Sequence, residues 1–444
     1  MKISVVGLGK LGAPLAAVFA SKGFEVVGTD LNLGFVDAIN AGLAPVDEPG
    51  LQALIDAHRA RLRATASIDE AVAATDVSFV IVPTPSDASG RFSNEFMLRA
   101  VRAIGAALRR KRSYHVVVIT STVMPGSTGG VIREALEQHS GRTLGPDLGL
   151  CYNPEFIALG TVVRDMLNPD MLLIGESDEK AGDVLEHIYL KSCDNEPVVR
   201  RMNFVNAELA KISVNTFVTT KISYANMLAD ICDRLPGADV DVVTRAIGCD
   251  TRIGGKYLRG AIGYGGPCFP RDNVAFAALA RSIGARAELA EATDSLNEYQ
   301  IERVVGAVQA RYQDGAIGVL GLSYKPDTPV VERSQGVALV DRLAAENYHV
   351  IAYDPKALPA AHAAVRRPFA AAESAEACVA ASSLVVVMTP WPEFKTIPLD
   401  AFARSGSRLC VIDCWRILSK ESIADVADVV YLGQGAARGA STVA

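Results

Sequence analysis

Short apolar runs alternate with longer amphipathic stretches through the first third of the chain. The β-branched runs predict strands at Ile3–Val6, Glu25–Thr29, Val77–Val82 and Val116–Thr120. Ala-rich stretches with helical spacing, such as Leu11–Ser21 and Met97–Arg110, lie between them. This alternation is typical of a parallel sheet with helices on both faces.

The pattern changes after residue 202. Asn203–Asp233 contains neither Gly nor Pro and has apolar residues at helical spacing, which predicts one long helix followed by mostly helical chain to about Arg311. A second alternating block has predicted strands at Ala316–Leu322, Val350–Tyr353, Leu384–Met388 and Leu409–Ile412. The predicted fold class is therefore α/β, with two Rossmann-like doubly wound domains joined by a long central helix and a helical middle domain. We place these domains at residues 1–202, 203–311 and 312–434, with a flexible tail rich in Gly, Ala and Ser at 435–444.

Composition and charge narrow the classes of partner. The chain has 444 residues, 50% of them hydrophobic, and a net charge of −6. Because no basic block or stripe occurs, we expect neither nucleic acid nor a membrane as a partner. The chain enters a strand pattern directly after Met1, so we expect no signal peptide. The eight cysteines form no CxxC pair and no zinc-type spacing, which predicts no metal site and reduced thiols in a cytoplasmic enzyme.

A glycine motif follows the first predicted strand. Gly7-Leu8-Gly9-Lys10-Leu11-Gly12 sits between a strand and a helix, where glycines permit a tight turn and close approach of the backbone to a pyrophosphate. The helix that follows offers N–H groups and a positive dipole end to the phosphates. Asp30 ends the second strand, where an acid accepts hydrogen bonds from a ribose 2′-hydroxyl and repels a 2′-phosphate. We predict NAD rather than NADP; the alternative is a glycine turn of another α/β protein, with Asp30 as a strand-end cap.

The most unusual segment is the glycine loop that runs from Gly263 to Asp272. Pro270 suits the start of a helix, and Cys268 then lies just ahead of it, where a helix dipole stabilises a thiolate. Asp272 falls in the first turn of the same helix. We predict Cys268 to be a nucleophile; the alternative is a buried structural cysteine, the interpretation that we keep for the other seven.

Further polar residues stand at places typical of sites. Lys211 and Asn215 are four residues apart on the long helix and share one face, although such a pair also occurs in a solvated stripe. Glu155 follows a short strand in Asn153–Phe156. Val82–Pro85 and Ser121–Thr128 end other strands on the same edge, and each alone is compatible with ordinary turn chemistry.

In combination these segments resemble the UDP-glucose/GDP-mannose 6-dehydrogenase family. The resemblance runs in order along nearly the whole chain and adds Asn40–Leu51, Asp165–Gly175, Glu208–Asn215, Arg252–Gly254, Gly321–Lys325, Tyr353–Lys356 and Trp391–Phe394. It implies a four-electron oxidation of a nucleotide-sugar C6 alcohol to a carboxylate with two NAD. UDP-glucose, giving UDP-glucuronate, is the leading substrate. GDP-mannose and UDP-N-acetylhexosamine are the alternatives, and a non-catalytic nucleotide-sugar-binding protein is the alternative of another class.

The resemblance also implies roles for residues. Cys268 would attack the aldehyde, Lys211 and Asn215 would stabilise the oxyanion, and Asp272 or Lys211 would act as base. Thr122, Glu155 and Asp272 would orient the hydrolytic water. The implied cofactor contacts are Gly7, Leu8, Gly9, Lys10, Leu11, Gly12, Asp30, Thr84, Pro85, Ser121, Thr122 and Arg333. The implied substrate contacts are Glu155, Phe156, Ile157, Lys211, Asn215, Arg252, Tyr257, Arg259, Tyr264, Gly265, Lys325 and Arg416. Arg252 would reach the site of a second subunit, so the resemblance implies a homodimer through the central helical domain.

The chain departs from the family pattern at four places. Arg271 stands where lysine is common, and Phe35 stands where many members have a basic residue beside the adenosine ribose. Leu159 stands where a second acid is usual, which leaves Glu155 as the carboxylate of that segment. Glu332-Arg333 inverts the usual order of arginine and glutamate, so that Arg333 takes over the arginine's cofactor contact from the next position. Leu159 bears on the sugar preference, and the departures together predict a divergent subgroup of the family.

Overall fold

The computed structural model describes residues 1–404 and 408–436. The chain divides into two compact units, residues 1–213 and 214–444, and each has its own sheet and core. Of the tail predicted at 435–444, residues 437–444 lie outside the described residues, whereas the Gly435 N–H donates to the Ala238 carbonyl at 3.0 Å.

The unit of residues 1–213 contains an eight-stranded sheet, and all of its residues are described. The strands are β1 Lys2–Val6, β2 Glu25–Thr29, β3 Leu62–Thr65, β4 Val77–Val80, β5 His115–Ile119, β6 Leu148–Tyr152, β7 Met171–Glu176 and β8 Val198–Met202. The helices are α1 Gly12–Ser21, α2 Leu33–Ala41, α3 Leu51–His58, α4 Ile68–Ala74, α5 Glu95–Leu108, α6 Arg133–Ser140, α7 Val162–Leu167 and α8 Glu179–Ser192. A 3₁₀ turn spans Arg59–Arg61, and a π-helix spans Thr128–Ile132.

The strand order is β3-β2-β1-β4-β5-β6-β7-β8, and only the β6–β7 pair is antiparallel. Helices cover both faces of the sheet, so β4 and β5 are buried along their whole length, as β-branched parallel strands usually are. Two apolar clusters form the core, one on each face. The polar turns that the sequence singles out follow the carboxyl ends of β1, β4, β5 and β6.

A single helix, α9 Phe204–Arg234, occupies the segment predicted as one long helix. Its bounds lie within one residue of the prediction. The boundary between the two compact units falls inside this helix.

Within the described part of residues 214–444, six strands form a parallel sheet in the order β11-β10-β9-β12-β13-β14. The strands are β9 Ala316–Leu320, β10 His349–Tyr353, β11 Ala370–Ala371, β12 Leu384–Val387, β13 Leu409–Asp413 and β14 Ala427–Tyr431. The helices are α10 Val240–Gly248, α11 Phe269–Ser282, α12 Glu288–Gln309, α13 Gln335–Ala345, α14 Leu358–Ala364, α15 Ala375–Ala380, α16 Leu399–Phe402 and α17 Lys420–Ile423, with a 3₁₀ turn at Pro392–Thr396. The two sheets and the helices between them confirm the predicted fold class.

Two predicted strands extend too far at their carboxyl ends. The runs at 77–82 and 316–322 leave the ladder after Val80 and Leu320. The Ser121 hydroxyl takes over both backbone groups of Val82, and the Asp354 carboxylate accepts the Leu322 N–H. Side chains therefore replace the strand partners at the two places where the chain turns away from the sheet.

Across the helices of 1–404 and 408–436, none has the length and apolar character that crossing a bilayer requires.

Candidate active site

The glycine turn after β1 has the geometry of a dinucleotide loop. Gly7 has φ +99°, and a Cβ on Gly12 would lie 1.8 Å from the Gly7 carbonyl oxygen, so these positions exclude a side chain. A Cβ on Gly9, in contrast, would meet no described atom within 4 Å, which leaves the backbone open to a ligand. The first turn of α1 follows directly, and its N-cap residue Leu11 contributes no side-chain cap. The turn therefore fits a pyrophosphate.

Asp30 lies directly after β2 and reaches back to this turn. Its carboxylate accepts the Leu8 N–H at 2.6 Å and the Asn32 N–H at 2.8 Å. The side chain is part-buried and beside the glycine motif, as the sequence predicts. Its carboxylate therefore fixes the turn that carries the glycine motif.

The turns after β4 and β5 are bonded to each other. The Ser121 hydroxyl donates to the Val82 carbonyl at 2.7 Å and accepts the Val82 N–H at 2.9 Å. The Thr84 hydroxyl donates to the Thr122 carbonyl at 2.8 Å. Thr84 and Ser121 are buried, whereas Pro85 is exposed. The structure therefore brings Thr84, Ser121 and Thr122 together at the edge that also carries the glycine turn.

Glu155 follows β6 and is held by a residue that sequence reasoning missed. The Tyr189 hydroxyl, from α8, donates to its carboxylate at 3.0 Å. Burial raises the pKa of the Glu155 carboxyl, although this hydrogen bond and the positive charge of Lys211 oppose the rise. Tyr189 is buried in an apolar cluster, so its sequence signal is that of an ordinary core tyrosine.

Lys211 lies on α9 and contacts the same segment. Its ammonium donates to the Glu155 carbonyl at 2.7 Å and lies 4.5 Å from the centroid of the Phe156 ring. Lys211 is buried, which a residue of a solvated stripe would not be. The structure thus brings Glu155, Phe156 and Lys211 together.

Glu208, which belongs to a segment of the family resemblance but received no role from the sequence, joins α9 to the turn after β5. Its carboxylate accepts the Gly126 N–H at 2.6 Å and the Thr128 N–H at 2.7 Å. Burial raises the pKa of Glu208, and the two N–H donors counteract that rise. Glu208 is one helical turn before Lys211. An acid in the first turns of a helix usually complements the dipole, which hides this anchoring role in the sequence.

Cys268 is the N-cap residue of α11, and its side chain is exposed. Pro270 occupies the second position of the helix, and Asp272 lies in the first turn, as the sequence predicts. The loop before Cys268 rests on the backbone that precedes α13. The Gly266 N–H donates to the Glu332 carbonyl at 2.9 Å, and a Cβ on Gly265 would lie 2.4 Å from the Arg333 carbonyl.

Asn215 and Asp272 form a buried pair. The Asn215 amide donates to the Asp272 carboxylate at 2.6 Å, and the Arg271 guanidinium donates to the other oxygen at 3.1 Å. Asp272 has no exposed surface, so its charge is balanced by these donors. The structure therefore brings Asn215 and Asp272 into contact, one helical turn from Cys268.

The predicted substrate residues of the second unit fall into separate groups. Arg259 donates to the Trp415 carbonyl and lies 5.6 Å from the Trp415 ring centroid. The neighbouring Arg416 is paired with Asp239 at 2.7 Å. Lys325 Nζ lies 5.9 Å from the Tyr324 ring centroid.

Arg252 and Tyr257 are exposed. Among the described residues, their contacts are with residues other than Arg259 and Arg416. The Arg252 guanidinium pairs with Asp250 at 2.6 Å. The Tyr257 ring meets Phe269, the first residue of α11, edge to face with 6.5 Å between centroids.

The predicted catalytic set is divided between the two units. Residues 1–213 contain Thr122, Glu155 and Lys211, and residues 214–444 contain Asn215, Cys268 and Asp272. Lys211 and Asn215 are on consecutive turns of α9, so one helix carries a residue of each set.

Comparison with known proteins identifies the family. Three models of the UDP-glucose/GDP-mannose dehydrogenase family match in order: the NAD binding domain over residues 1–192, the central domain over 205–299 and the UDP binding domain over 318–420. The UDP-glucose 6-dehydrogenase AglM of Haloferax volcanii is 36% identical over 439 residues, covering 97% of this chain and 100% of that protein. The GDP-mannose 6-dehydrogenase of Pseudomonas putida is 35% identical over 359 residues, covering 80% and 81%.

A solved structure gives the same result. The UDP-glucose dehydrogenase of the hyperthermophilic archaeon Pyrobaculum islandicum superposes with a TM-score of 0.87 at 32% identity, covering 97% of this chain and 96% of that one. The matches confirm the predicted family, the predicted enzyme class and NAD as the cofactor. The chain belongs to the UDP-glucose/GDP-mannose dehydrogenase family and is an NAD-dependent oxidoreductase with a nucleotide-sugar substrate.

Proposed function

We propose that the chain oxidises the C6 alcohol of UDP-glucose to the carboxylate of UDP-glucuronate, with two NAD and one water consumed per sugar. UDP-glucose 6-dehydrogenases of 36% and 33% identity, matched over 97% and 99% of the chain, support this substrate. The observation that carries the mechanism is the exposed Cys268 thiol at the start of α11, one turn before the Asn215–Asp272 pair.

The cofactor site is the glycine turn with Asp30. The open backbone at Gly9 and the first turn of α1 receive the pyrophosphate, and Asp30 receives the adenosine ribose. Thr84, Pro85, Ser121 and Thr122 line the nicotinamide side, and Arg333 supplies a further contact. When bound, NAD accepts a hydride from C6 in each of the two oxidations.

The thiol of Cys268 explains why the aldehyde is not released. Its thiolate adds to the aldehyde carbon, and the carbonyl oxygen becomes the oxyanion of a thiohemiacetal. Loss of a hydride from that carbon gives a thioester, which water hydrolyses to the acid and the free thiol. A covalent bond therefore holds the half-oxidised sugar until the second oxidation is complete.

Lys211 and Asn215 stabilise the oxyanion as it forms. They lie on consecutive turns of α9, and both are buried, so their hydrogen-bond donors act at low local dielectric. Asp272 or Lys211 takes the hydroxyl proton in the first oxidation. Thr122, Glu155 and Asp272 orient the hydrolytic water, and the raised pKa of Glu155 suits proton exchange with it.

The remaining predicted contacts bind the nucleotide sugar. Lys325 and Arg259 supply positive charge for the diphosphate. Arg416, the third predicted contact, shares its charge with Asp239 and therefore contributes less. Phe156, Ile157, Tyr257, Tyr264 and Gly265 line the sugar and the base.

The working assembly that we propose is a homodimer through α9, in the cytoplasm, where a nucleophilic thiol stays reduced. Phe217, Tyr224 and Ile231 recur at intervals of seven on α9, so they share one face, and their side chains are 64%, 46% and 49% exposed. A second copy of the same helix is the occupant that such a stripe suits. Arg252, whose side chain is 87% exposed, is then available to the partner's site.

The stoichiometry of the reaction tests this function. Purified protein with NAD and UDP-glucose should form two NADH and one uronic acid per sugar, and GDP-mannose and UDP-N-acetylglucosamine should be poorer substrates. A yield of one NADH per sugar with free aldehyde would contradict the covalent mechanism. Faster turnover of GDP-mannose would replace the proposed substrate.

Replacement of the thiol tests the nucleophile. Cys268→Ser should lower acid formation by at least about 10³-fold because a serine hydroxyl is not ionised near pH 7, with NAD affinity unchanged. Cys249→Ser is the matched control, since Cys249 is also an exposed cysteine at a helix end. Equal losses in the two variants, or none in Cys268→Ser, would rule out Cys268 as the nucleophile.

A further inference from the structure

The loop that leads to Cys268 is held from behind by three polar residues of α11 and α12. Asn273 lies on α11, and Asp294 and Asn297 lie on α12. We call these three residues the loop clamp. Each of them bonds to Tyr264, which is the second residue of the loop.

Asn297 holds the backbone of the loop. Its side-chain oxygen accepts the Tyr264 N–H at 2.7 Å, and its amide nitrogen donates to the Tyr264 carbonyl at 3.0 Å. One side chain therefore satisfies both backbone groups of one residue, as a neighbouring strand would. A Cβ on Gly263 would lie 2.7 Å from the Asn297 oxygen, so the loop also packs directly on this amide.

Asn273 and Asp294 hold the Tyr264 ring. The Tyr264 hydroxyl donates to the Asp294 carboxylate at 2.9 Å, and the Asn273 amide donates to both the hydroxyl and that carboxylate, at 2.9 and 3.0 Å. The Thr219 hydroxyl, from α9, donates to the Asn273 oxygen at 3.1 Å. Asn273 and Tyr264 are buried, so breaking one of these bonds leaves an unsatisfied polar group.

The clamp is connected to Cys268 through short steps. The Tyr264 ring meets the Phe269 ring edge to face, with 6.2 Å between centroids, and Phe269 is bonded to Cys268 in the chain. Asn273 is the direct neighbour of Asp272. The clamp thus fixes the loop on one side of the thiol and the first turn of α11 on the other.

We propose that Asn297, together with Asn273 and Asp294, is a positioning residue that sets where the Cys268 thiol lies relative to the C6 carbon. This inference rests on the nucleophilic role proposed for Cys268. It also revises the contact expected of Tyr264. Since its hydroxyl is engaged inside the protein, Tyr264 meets the nucleotide sugar through its ring or backbone only.

The rate of thiol alkylation reports the environment of Cys268 independently of sugar oxidation. The full-length protein and Asn297→Ala are treated with iodoacetamide, and the labelling rate of each cysteine is followed by peptide mass spectrometry. The Cys268 rate should change by at least about threefold in Asn297→Ala, because the loop loses the two bonds that fix it, and kcat should fall about 10–100-fold with KM for NAD unchanged. Cys249, exposed, and Cys378, buried, are internal controls whose rates should not change. Glu298→Ala, at an exposed neighbour on α12, should match the wild type.

Other variants keep the test decisive. If Cys378 becomes reactive in Asn297→Ala, the measurement is repeated with Asn297→Asp, because aspartate keeps the acceptor for the Tyr264 N–H and replaces the donor to the Tyr264 carbonyl with a second acceptor. A wild-type Cys268 rate together with a wild-type kcat in the folded variant would overturn the proposal.

Tyr264→Phe should lower kcat and leave KM for the nucleotide sugar unchanged. A rise in that KM of about tenfold or more would show that the hydroxyl binds substrate. If the wild-type protein forms no NADH, the proposed function fails, whereas the alkylation rates still decide whether Asn297 positions the loop.

Discussion

At the residue scale, Asp30 holds the glycine turn, because its carboxylate accepts two backbone N–H groups. The ribose contact that we propose for the same carboxylate can be tested by one substitution. Asp30→Asn keeps the size and one acceptor oxygen but removes the charge. We expect the NAD over NADP preference in kcat/KM to fall at least tenfold, equal to about 1.4 kcal/mol, because the 2′-phosphate is no longer repelled. Steady-state kinetics with both cofactors measure it; an unchanged ratio would contradict the role of the charge.

His115 gives a pH dependence that the active site does not explain. Its ring is buried at the start of β5, where the Lys111 ammonium contacts one nitrogen at 3.2 Å and the Ser78 hydroxyl contacts the other at 2.8 Å. Burial lowers the pKa of His115 to about 3, and Lys111 adds to that effect. An unfolded histidine titrates near 6.5. Between these values the unfolded chain binds a proton that the folded chain does not, so stability falls as the pH falls.

We therefore expect a loss of about 1.4 kcal/mol of unfolding free energy per pH unit from this one group below about pH 6. Other groups titrate in the same range, so the wild type is compared with His115→Gln, which lacks the titration. Denaturant unfolding at pH 7, 6, 5 and 4 gives the unfolding free energy of each protein as a function of pH. The difference in unfolding free energy between the wild type and His115→Gln should become smaller as the pH falls. Parallel curves would mean that His115 binds its proton over the same pH range in the folded and the unfolded chain, which would contradict the prediction.

Residues at the ends of elements were the predictable part of the site. Cys268 and Asp272 stand at a helix start, and Asp30 at a strand end, so local pattern alone locates them. Tyr189, Glu208 and Asn297 could not be found in this way. Their partners lie 34, 82 and 33 residues away in the chain, and only the packing of one element against another brings them together.

At the element scale, strands with buried apolar residues were easier to predict than the charged strand at the edge of the sheet. Strands β2 and β10 were predicted to within one residue, because each contains an adjacent pair of β-branched residues, Val26-Val27 and Val350-Ile351, in a short apolar run. Strand β8 was not predicted. Its residues Val198–Met202 include two arginines, and Arg201 bonds three acidic side chains at the edge of the sheet. An edge strand of this kind has no apolar signature.

The exposed stripe on α9 gives a prediction for the whole helix. The double variant Phe217→Glu with Tyr224→Glu should convert the proposed homodimer to a monomer, since it places four like charges across a two-fold interface. Light scattering after size-exclusion chromatography measures the mass. Val242→Glu is the control, because Val242 is equally exposed on α10 but outside the stripe. A monomeric wild type, or a dimeric double variant, would exclude α9 as the interface.

At the scale of the whole molecule, the two sheets repeat one design. The N–H groups of Gly7 and Gly321 each donate at 2.8 Å to the last residue of the neighbouring strand, and both glycines have φ +99°. Asp30 and Asp354 then take corresponding places. The two turns differ two residues after this glycine. The first turn has Gly9 there, with open space beside it, whereas the second turn has Ser323. Its hydroxyl donates to Asp354, so a side chain fills the place where a pyrophosphate would approach.

Substitution of Asp30 and of Asp354 should therefore have different effects, one on cofactor preference and the other on stability. Asp354 is 2% exposed and accepts backbone N–H groups of Leu322 and Ser323 and the Trp391 indole N–H, so the protein itself uses its hydrogen-bonding capacity. Asp354→Asn turns an amide toward some of those donors and should cost about 2–3 kcal/mol of stability, seen as a lower Tm, with KM for NAD unchanged. Asp30→Asn should change cofactor preference with little loss of Tm, because Asp30 is only part-buried. Thermal unfolding and NAD kinetics on both variants make the comparison. A weakened NAD affinity in Asp354→Asn at full stability would mean that the second sheet also contributes to the dinucleotide site, and the filled position at Ser323 would then need another explanation.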